Sequence, residues 1–317
     1  MAKFYIRHKT EYTYSDYITE SAYKIRLYPI IDDFLKVVKH TIDVSFTPEI
    51  NCFLDFNNNM VGAFSVVKPH KRFLIESYLE VITTKRDFPK NNKNAETQWQ
   101  NLSSLKYNIN YIDYLLVPEN IINSEYKTVL QAIKTEGKTP LKVFEDLCSY
   151  VNKEFTYTKN ITSVDTKINE AWNLKAGVCQ DFANVLIFLL KKSGIPAKYV
   201  SGYICSNNDG LIGEGATHAW VEAYIPGFGW LGMDPTNNCV VDDKHVRIAT
   251  GRNYADCAPV DGVYRGTAKN SLDVKVIVNY DDIKAGKEDF IYEKPIEFKK
   301  NSFVENQNYI QEQQQQQ

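Results

Sequence analysis

A cysteine, a histidine and an aspartate follow one another in the second half of the chain, in settings that suit nucleophilic catalysis. A thiol attacks as its anion, and the unpaired N–H groups and dipole of a helix N-terminus favour that anion. Cys179 has this predicted place, because Gly177-Val178-Cys179-Gln180-Asp181-Phe182 leads into Val185, Leu186, Leu189 and Leu190, which continue from Phe182 at helical intervals. Gly177 would let the backbone approach a substrate closely, and the Cys179 N–H could donate to a developing oxyanion. His218 alternates with Trp220 and Glu222 on one face of a predicted strand, while Ala219, Val221 and Ala223 form a core-like face. Asp234 lies an even number of residues further on, across the turn Pro226-Gly227-Phe228-Gly229. A hairpin there sets it opposite or diagonal to His218 on the same face, where an orienting carboxylate belongs. A register shift of one residue would separate the two. Singly, each has an ordinary reading: a buried thiol, a structural strand histidine, a turn aspartate before a proline. The signal is the order, on helix, strand and strand.

The elements that must hold these side chains fall into two groups. Residues 1 to about 85 alternate apolar and polar positions, as in Phe4, Ile6, His8, Thr10 and Tyr12, then Ile42, Val44 and Phe46, then Phe73, Ile75, Ser77, Leu79 and Val81. Asn57-Asn58-Asn59 interrupts them as a turn. Several half-buried strands predict an antiparallel sheet or sandwich with no reactive constellation in it. A polar stretch over 86–100 reads as an exposed loop, and spacing turns helical from about 125, with Thr139 as cap and Pro140 in the first turn of one helix. Gly194 and Pro196 end the helix that Cys179 begins, and 199–234 returns to strand periodicity as a β-meander. The expected division is a β-rich domain over 1–120, a catalytic core over 121–280 and an extension over 281–317 that ends in a glutamine run and is too polar to order itself.

Composition narrows the function classes. A formal net charge of −2 provides no field for nucleic acid or an anionic membrane. No apolar run reaches the ~18 residues of a spanning helix, and the first residues read as a strand rather than a leader, so a cytoplasmic protein is expected. The six cysteines lack C-x-x-C pairs and zinc-like spacings, and Gly210, Gly213 and Gly215 do not form a phosphate loop. No metal and no cofactor are expected.

Four motifs in order, Gly-Val-Cys-Gln-Asp-Phe-Ala at 177–183, Gly-Ile-Pro-Ala-Lys-Tyr-Val-Ser-Gly-Tyr at 194–203, His-Ala-Trp-Val-Glu-Ala-Tyr at 218–224 and Gly-Trp-Leu-Gly-Met-Asp-Pro-Thr-Asn at 229–237, resemble the bacterial transglutaminase-like superfamily. The resemblance continues through Arg247, 251–256 and 258–266, and residues 1–85 look like the β-rich domain that precedes the core in these proteins. It implies an α+β fold with a papain-like transglutaminase core, helices packed on an antiparallel meander, behind a sandwich-like domain. It implies Cys179 as nucleophile, His218 as base and acid, and Asp234 as the group holding the imidazole. The chain departs from the family pattern at Leu174-Lys175-Ala176, where an arginine is expected, and at Asn253. Gln180 and Trp172 are candidates for a second oxyanion donor; Trp220, Arg252 and Tyr254 are candidate cleft residues, with core or scaffold as the plainer reading of each.

The expected activity is thiol-dependent hydrolysis of an amide or peptide bond through a thioester, acting on a peptide or protein substrate. The alternatives are a protein-crosslinking transglutaminase, which passes the acyl group to an amine, and a non-catalytic binding scaffold.

Overall fold

The computed structural model describes residues 1–85, 87, 94–117, 124–205, 212–213 and 216–280, with the backbone of 299–302. The chain begins with β1 (Ala2–Ile18), β2 (Glu20–Ile25), β3 (Leu35–Val44), β4 (Asn51–Leu54), β5 (Met60–Val66) and β6 (His70–Thr83). Two helices follow, α1 (Ala95–Ser104) and α2 (Glu125–Ile133), then α3 (Pro140–Glu154), β7 (Thr156–Tyr157), α4 (Ile168–Leu174), β8 (Ala176–Gly177) and α5 (Cys179–Lys192). A run of strands comes next: β9 (Ala197–Ile204), β10 (His218–Ile225), β11 (Gly229–Asp234), β12 (Cys239–Val240) and β13 (His245–Gly251). After the short helix α6 (Tyr254–Cys257) come β14 (Val260–Arg265), β15 (Asn270–Asn279) and β16 (Lys299–Ser302).

The front of the molecule is a sandwich. One sheet has the order β15-β1-β6-β3-β16 and the other β14-β2-β5-β4. Alternation drives it: Tyr12, Tyr14, Ile42, Val44, Phe73 and Ile75 from the first sheet meet Tyr23, Ile25, Phe64 and Val66 from the second in one apolar core. Within the segment expected as 121–280, β14 and β15 pair antiparallel with β2 and β1, so 260–279 adds strands to the front sandwich. Periodicity marks a strand without naming its partner sheet. α1 lies inside the expected β-rich 1–120 segment, begins on an Asn94 cap that accepts the Thr97 N–H at 2.8 Å, and packs Trp99 and Leu102 into the helical core. In the C-terminal extension only 299–302 is described, as a strand on the β3 edge; the glutamine run lies outside the described residues.

The core packs helices on the sheet β12-β11-β10-β9-β13. Thr139 caps α3, its hydroxyl accepting from the Lys142 N–H at 3.2 Å, and Pro140 supplies the preset first turn. α5 runs between α3 and the sheet with Phe182, Val185, Leu186, Leu189 and Leu190 all buried. Each such side chain contributes roughly 1.5–3 kcal/mol by leaving water, so the helix that carries Cys179 is anchored along most of its length. Among the described residues no helix is long and apolar enough to cross a membrane.

Candidate functional site

Cys179 is the first residue of α5, half-buried, at the end of the helix where four N–H groups lack intrahelical partners. The turn into that helix is fixed by Asp181, whose Oδ2 accepts from the Val178 N–H at 2.8 Å and the Thr162 hydroxyl at 2.7 Å. Gly177 is required there, since a Cβ on it would lie 2.3 Å from that same oxygen. The glycine therefore admits the carboxylate that shapes the loop before the thiol.

β10 and β11 form the expected hairpin, with Val221 paired to Met233. Continuing that register by one residue sets Asp234 opposite Trp220 and diagonal to His218, on one face. His218 Nε2 donates to Asp234 Oδ2 at 2.8 Å, and neither side chain is exposed. An ionised carboxylate can only accept, so Nε2 carries a proton and Nδ1 is the nitrogen left for chemistry. That Nδ1 is buried without a hydrogen-bond partner. Burial pulls the imidazole down, but the Asp234 carboxylate and the Cys179 sulfur outweigh it and raise it to about 9. Burial would likewise raise the Asp234 carboxyl, yet His218 and His245 hold it well below the usual carboxylate range. The three residues picked from the sequence are thus brought together.

Further groups fix Asp234. Its Oδ1 accepts from the Thr236 N–H at 2.8 Å and the Asn237 N–H at 3.3 Å, and its Oδ2 from Asn237 Nδ2 at 2.7 Å. The Asn237 amide also makes a two-way clamp on Ile212, donating to its carbonyl at 3.1 Å and accepting from its N–H at 2.8 Å. The clamp sets Gly213 against the His218 ring. Asn237 stands in the fourth motif, but nothing in its spacing announces either contact.

The remaining candidates disperse. Trp172 is buried in the helical core with its indole N–H given to Glu125 Oε2 at 3.1 Å, which leaves it no proton for an oxyanion. Gln180 Nε2 donates to the Val164 carbonyl at 3.0 Å. Trp220 is fully buried, its ring 6.2 Å from His218 and 5.2 Å from His245, and so acts as a wall behind the histidine rather than a cleft surface. Arg252 grips Asp256 with two nitrogens at 2.8 and 3.0 Å on the exposed corner before α6. Tyr254 stacks edge-on against Tyr199 at 6.4 Å; burial, followed by the Cys179 sulfur, pushes the Tyr199 hydroxyl well above its usual value. Tyr254 is therefore one ring removed from Cys179. Tyr157, not singled out in the sequence, is a half-buried neighbour: β7 pairs with β8 immediately before Cys179, and burial and the Cys179 sulfur raise its hydroxyl.

Asp234, Cys239 and His245 are the one group among the described residues whose ligand atoms, all within 4.8 Å, could share a metal ion. The Asp234 oxygens are already committed to His218, Asn237 and two backbone amides. The cluster reads as a polar network around the carboxylate.

Comparison with known proteins places this arrangement. Residues 127–235 match the core of the transglutaminase-like superfamily, and residues 4–82 match the bacterial transglutaminase-like N-terminal region. An uncharacterised protein of Mycobacterium tuberculosis is 30% identical over 295 residues, covering 87% of this chain and 92% of its own. One from Mycobacterium leprae is 28% identical over 281 residues, covering 87% and 98%. A protein-glutamine gamma-glutamyltransferase of Pseudomonas aeruginosa is 30% identical over 122 residues, 36% of this chain and 18% of that protein. Among solved structures, a candidate cysteine protease from Cytophaga hutchinsonii superposes with a TM-score of 0.69 at 21% identity, over 95% of this chain and 97% of that one, which shows the shared fold.

Proposed function

The chain belongs to the transglutaminase-like superfamily and carries its bacterial N-terminal region, and from that premise we propose that it is a thiol acyl-transfer enzyme that hydrolyses an amide or peptide bond. The observation that carries this reading is the buried His218–Asp234 pair, with the free Nδ1 beside the Cys179 thiol at a helix start. With its Nε2 proton held by Asp234, the imidazole that takes the thiol proton becomes an imidazolium, and the carboxylate offsets its charge. The Cys179 sulfur then attacks the amide carbonyl carbon. The oxyanion forms next to the Cys179 N–H, which lacks an intrahelical acceptor. His218 returns its Nδ1 proton to the leaving amine, the C–N bond breaks, and a thioester remains on Cys179. Water, deprotonated by the same nitrogen, releases the acid and restores the thiol.

A second reading has one observation behind it. The Pseudomonas aeruginosa relative named as a protein-glutamine gamma-glutamyltransferase aligns over 36% of this chain. In that reading the acyl donor is a glutamine side chain, ammonia leaves, and a primary amine takes the acyl group in place of water.

The deciding experiment has two stages. Each cysteine is alkylated across pH and quantified by mass spectrometry, in the wild type and in His218→Ala. Cys179 should label fastest of the six at neutral pH, and this advantage should disappear in the variant. If Cys179 reacts no faster than Cys52, the triad is not assembled and the enzyme reading fails. A glutamine peptide offered with a fluorescent amine then separates the two chemistries: release of acid supports hydrolysis, and retained fluorescence supports crosslinking.

A further inference from the structure

His245 opens β13 and its ring is buried beside the triad, although no motif marked it. Its Nε2 lies 3.7 Å from Asp234 Oδ2, the oxygen that His218 Nε2 reaches at 2.8 Å. Its Nδ1 lies 3.3 Å from Asp242 Oδ1 and 3.4 Å from the Asp242 backbone nitrogen. The Trp220 ring borders both imidazoles, 6.2 Å from His218 and 5.2 Å from His245. From Asp242 inward, the groups therefore run carboxylate, imidazole, carboxylate, imidazole, thiol, with signs that can alternate at every step.

We infer that His245 is a positioning residue for the acyl-transfer site, a second imidazole that holds Asp234 and shares its carboxylate with His218. The inference rests on the function proposed above, in which Asp234 orients the base. A carboxylate with one partner follows that partner when the base moves; one hydrogen-bonded also by Asn237 and two backbone amides, with the His245 Nε2 at an ion-pair distance of 3.7 Å and given to no other partner, stays in place as His218 passes its proton. The groups that face His245 are Asp234 from β11, Cys239 from β12 and Asp242 from the turn before it. Its outer side borders a cavity of about 40 Å³ lined also by Asp32, Glu222, Asp243 and Arg247. Burial alone would keep the ring neutral, but Asp234, Asp242 and Cys239 raise it well above its ordinary value. A cation on that side of Asp234 weakens the hold of the carboxylate on the His218 proton, so the base stays able to release it.

The test compares His245→Gln and His245→Ala in the full chain. The midpoint of His218 is followed by NMR of ¹³C-labelled histidine, and the Cys179 alkylation rate by iodoacetamide at pH 7. Loss of the neighbouring cation should move the His218 midpoint upward by about one unit in both variants. The raised midpoint by itself favours the thiolate, so the alkylation rate reads position: displacement of Asp234 and His218 should lower it about tenfold in His245→Ala, and less in His245→Gln, whose amide can still donate to Asp234. If His245→Ala does not fold, the glutamine variant carries the test. A midpoint and rate equal to wild type in the folded glutamine variant would overturn the positioning role. That outcome differs from failure of the enzyme reading, which shows in the wild type as a Cys179 no more reactive than Cys52.

Discussion

Gly213 lies so close over the His218 imidazole that a Cβ built on it would meet Nδ1 at 2.4 Å and Cγ at 3.0 Å. Its φ of +108° is also a conformation that side chains rarely adopt. Asn237 holds the neighbouring Ile212 by two hydrogen bonds, so the segment has little room to retreat. Gly213→Ala should push the ring away from the thiol. Activity should drop at least tenfold while the melting temperature changes by only a few degrees, because Ile212 and Gly213 contribute little to the apolar cores. An alanine variant with wild-type turnover would show that the covering segment lifts freely.

Asp234→Asn tests the other side of the ring. The asparagine amide can present a donor where Nε2 needs an acceptor, so the imidazole would turn over its tautomer and lose Nδ1 as a base. The expected loss in acyl transfer is on the order of 10³–10⁴-fold, the scale seen when the equivalent change is made in a serine protease triad. Cys179 should still be alkylated, slowly and at higher pH. A loss of less than about tenfold would remove Asp234 from the mechanism.

That Cys179, His218 and Asp234 converge was legible because each sits on a short, strongly periodic element. Cys179 precedes a clean helical run, and the even spacing from His218 to Asp234 across a glycine-rich turn specifies one face. The sandwich was legible as strands over residues 1–85, but that β14 and β15 complete it was not, since their partners β2 and β1 lie more than two hundred residues away in the chain. His245 and Asn237 escaped notice for a related reason. Their importance is a matter of which atoms converge on Asp234, and neither residue stands at a spacing from it that secondary structure would translate into contact.

Stability should peak near pH 6.5 and fall on both sides. His8 and His40 are buried, and burial lowers them from 6.5 to about 4 and about 3. The unfolded chain binds their protons first, so their share of stability is complete above pH 6.5 and is lost as pH falls through those values. His218 has the opposite sign: raised to about 9, its share is complete below pH 6.5 and is lost as pH rises through 9. Thermal melts from pH 4 to pH 9.5 should show both limbs. His218→Gln should reduce the alkaline limb, to which the raised His245 also contributes, and leave the acid limb; an unchanged alkaline limb would mean that His218 does not titrate with folding.

Arg247 joins the two domains beneath the catalytic hairpin. Its guanidinium donates to Glu222 Oε1 at 2.8 Å, on the strand that carries His218, and to the Asp32 carboxylate from the front domain. Its backbone carbonyl accepts the Ile30 N–H at 2.9 Å. Arg247→Met keeps much of the apolar stem but leaves Glu222, buried to 2% exposure, without its counter-charge. The expected cost is about 3–5 kcal/mol, read as a lower denaturation midpoint with an unchanged slope. Arg247→Lys should recover only part of it, since an ammonium cannot serve both carboxylates with the same fork. A methionine variant as stable as wild type would show that Glu222 finds another cation or takes a proton.

The core that carries Cys179 should not fold without the front domain. A third apolar cluster is built from both domains: Phe4, Ile6, Leu35, Leu79 and Val81 of the sandwich pack with Tyr203, Val246 and Ile248 of the catalytic sheet and Val276 of β15. Polar ties run through the same interface, with His8 Nδ1 and the Tyr203 hydroxyl 2.8 Å apart and the Asn59 amide bonded both ways to the Thr250 backbone at 2.8 Å. Deleting residues 1–85 would strip β14 and β15 of their partners and uncover this cluster at once. At roughly 25 cal/mol per Å² of apolar surface, each large side chain so exposed costs on the order of 2 kcal/mol, and several are involved. The fragment from residue 86 onward should therefore be aggregated or lack near-ultraviolet circular dichroism, and Cys179 in it should label no faster than Cys148. A monomeric, cooperatively melting fragment with a selectively reactive Cys179 would instead make the front domain a separable attachment.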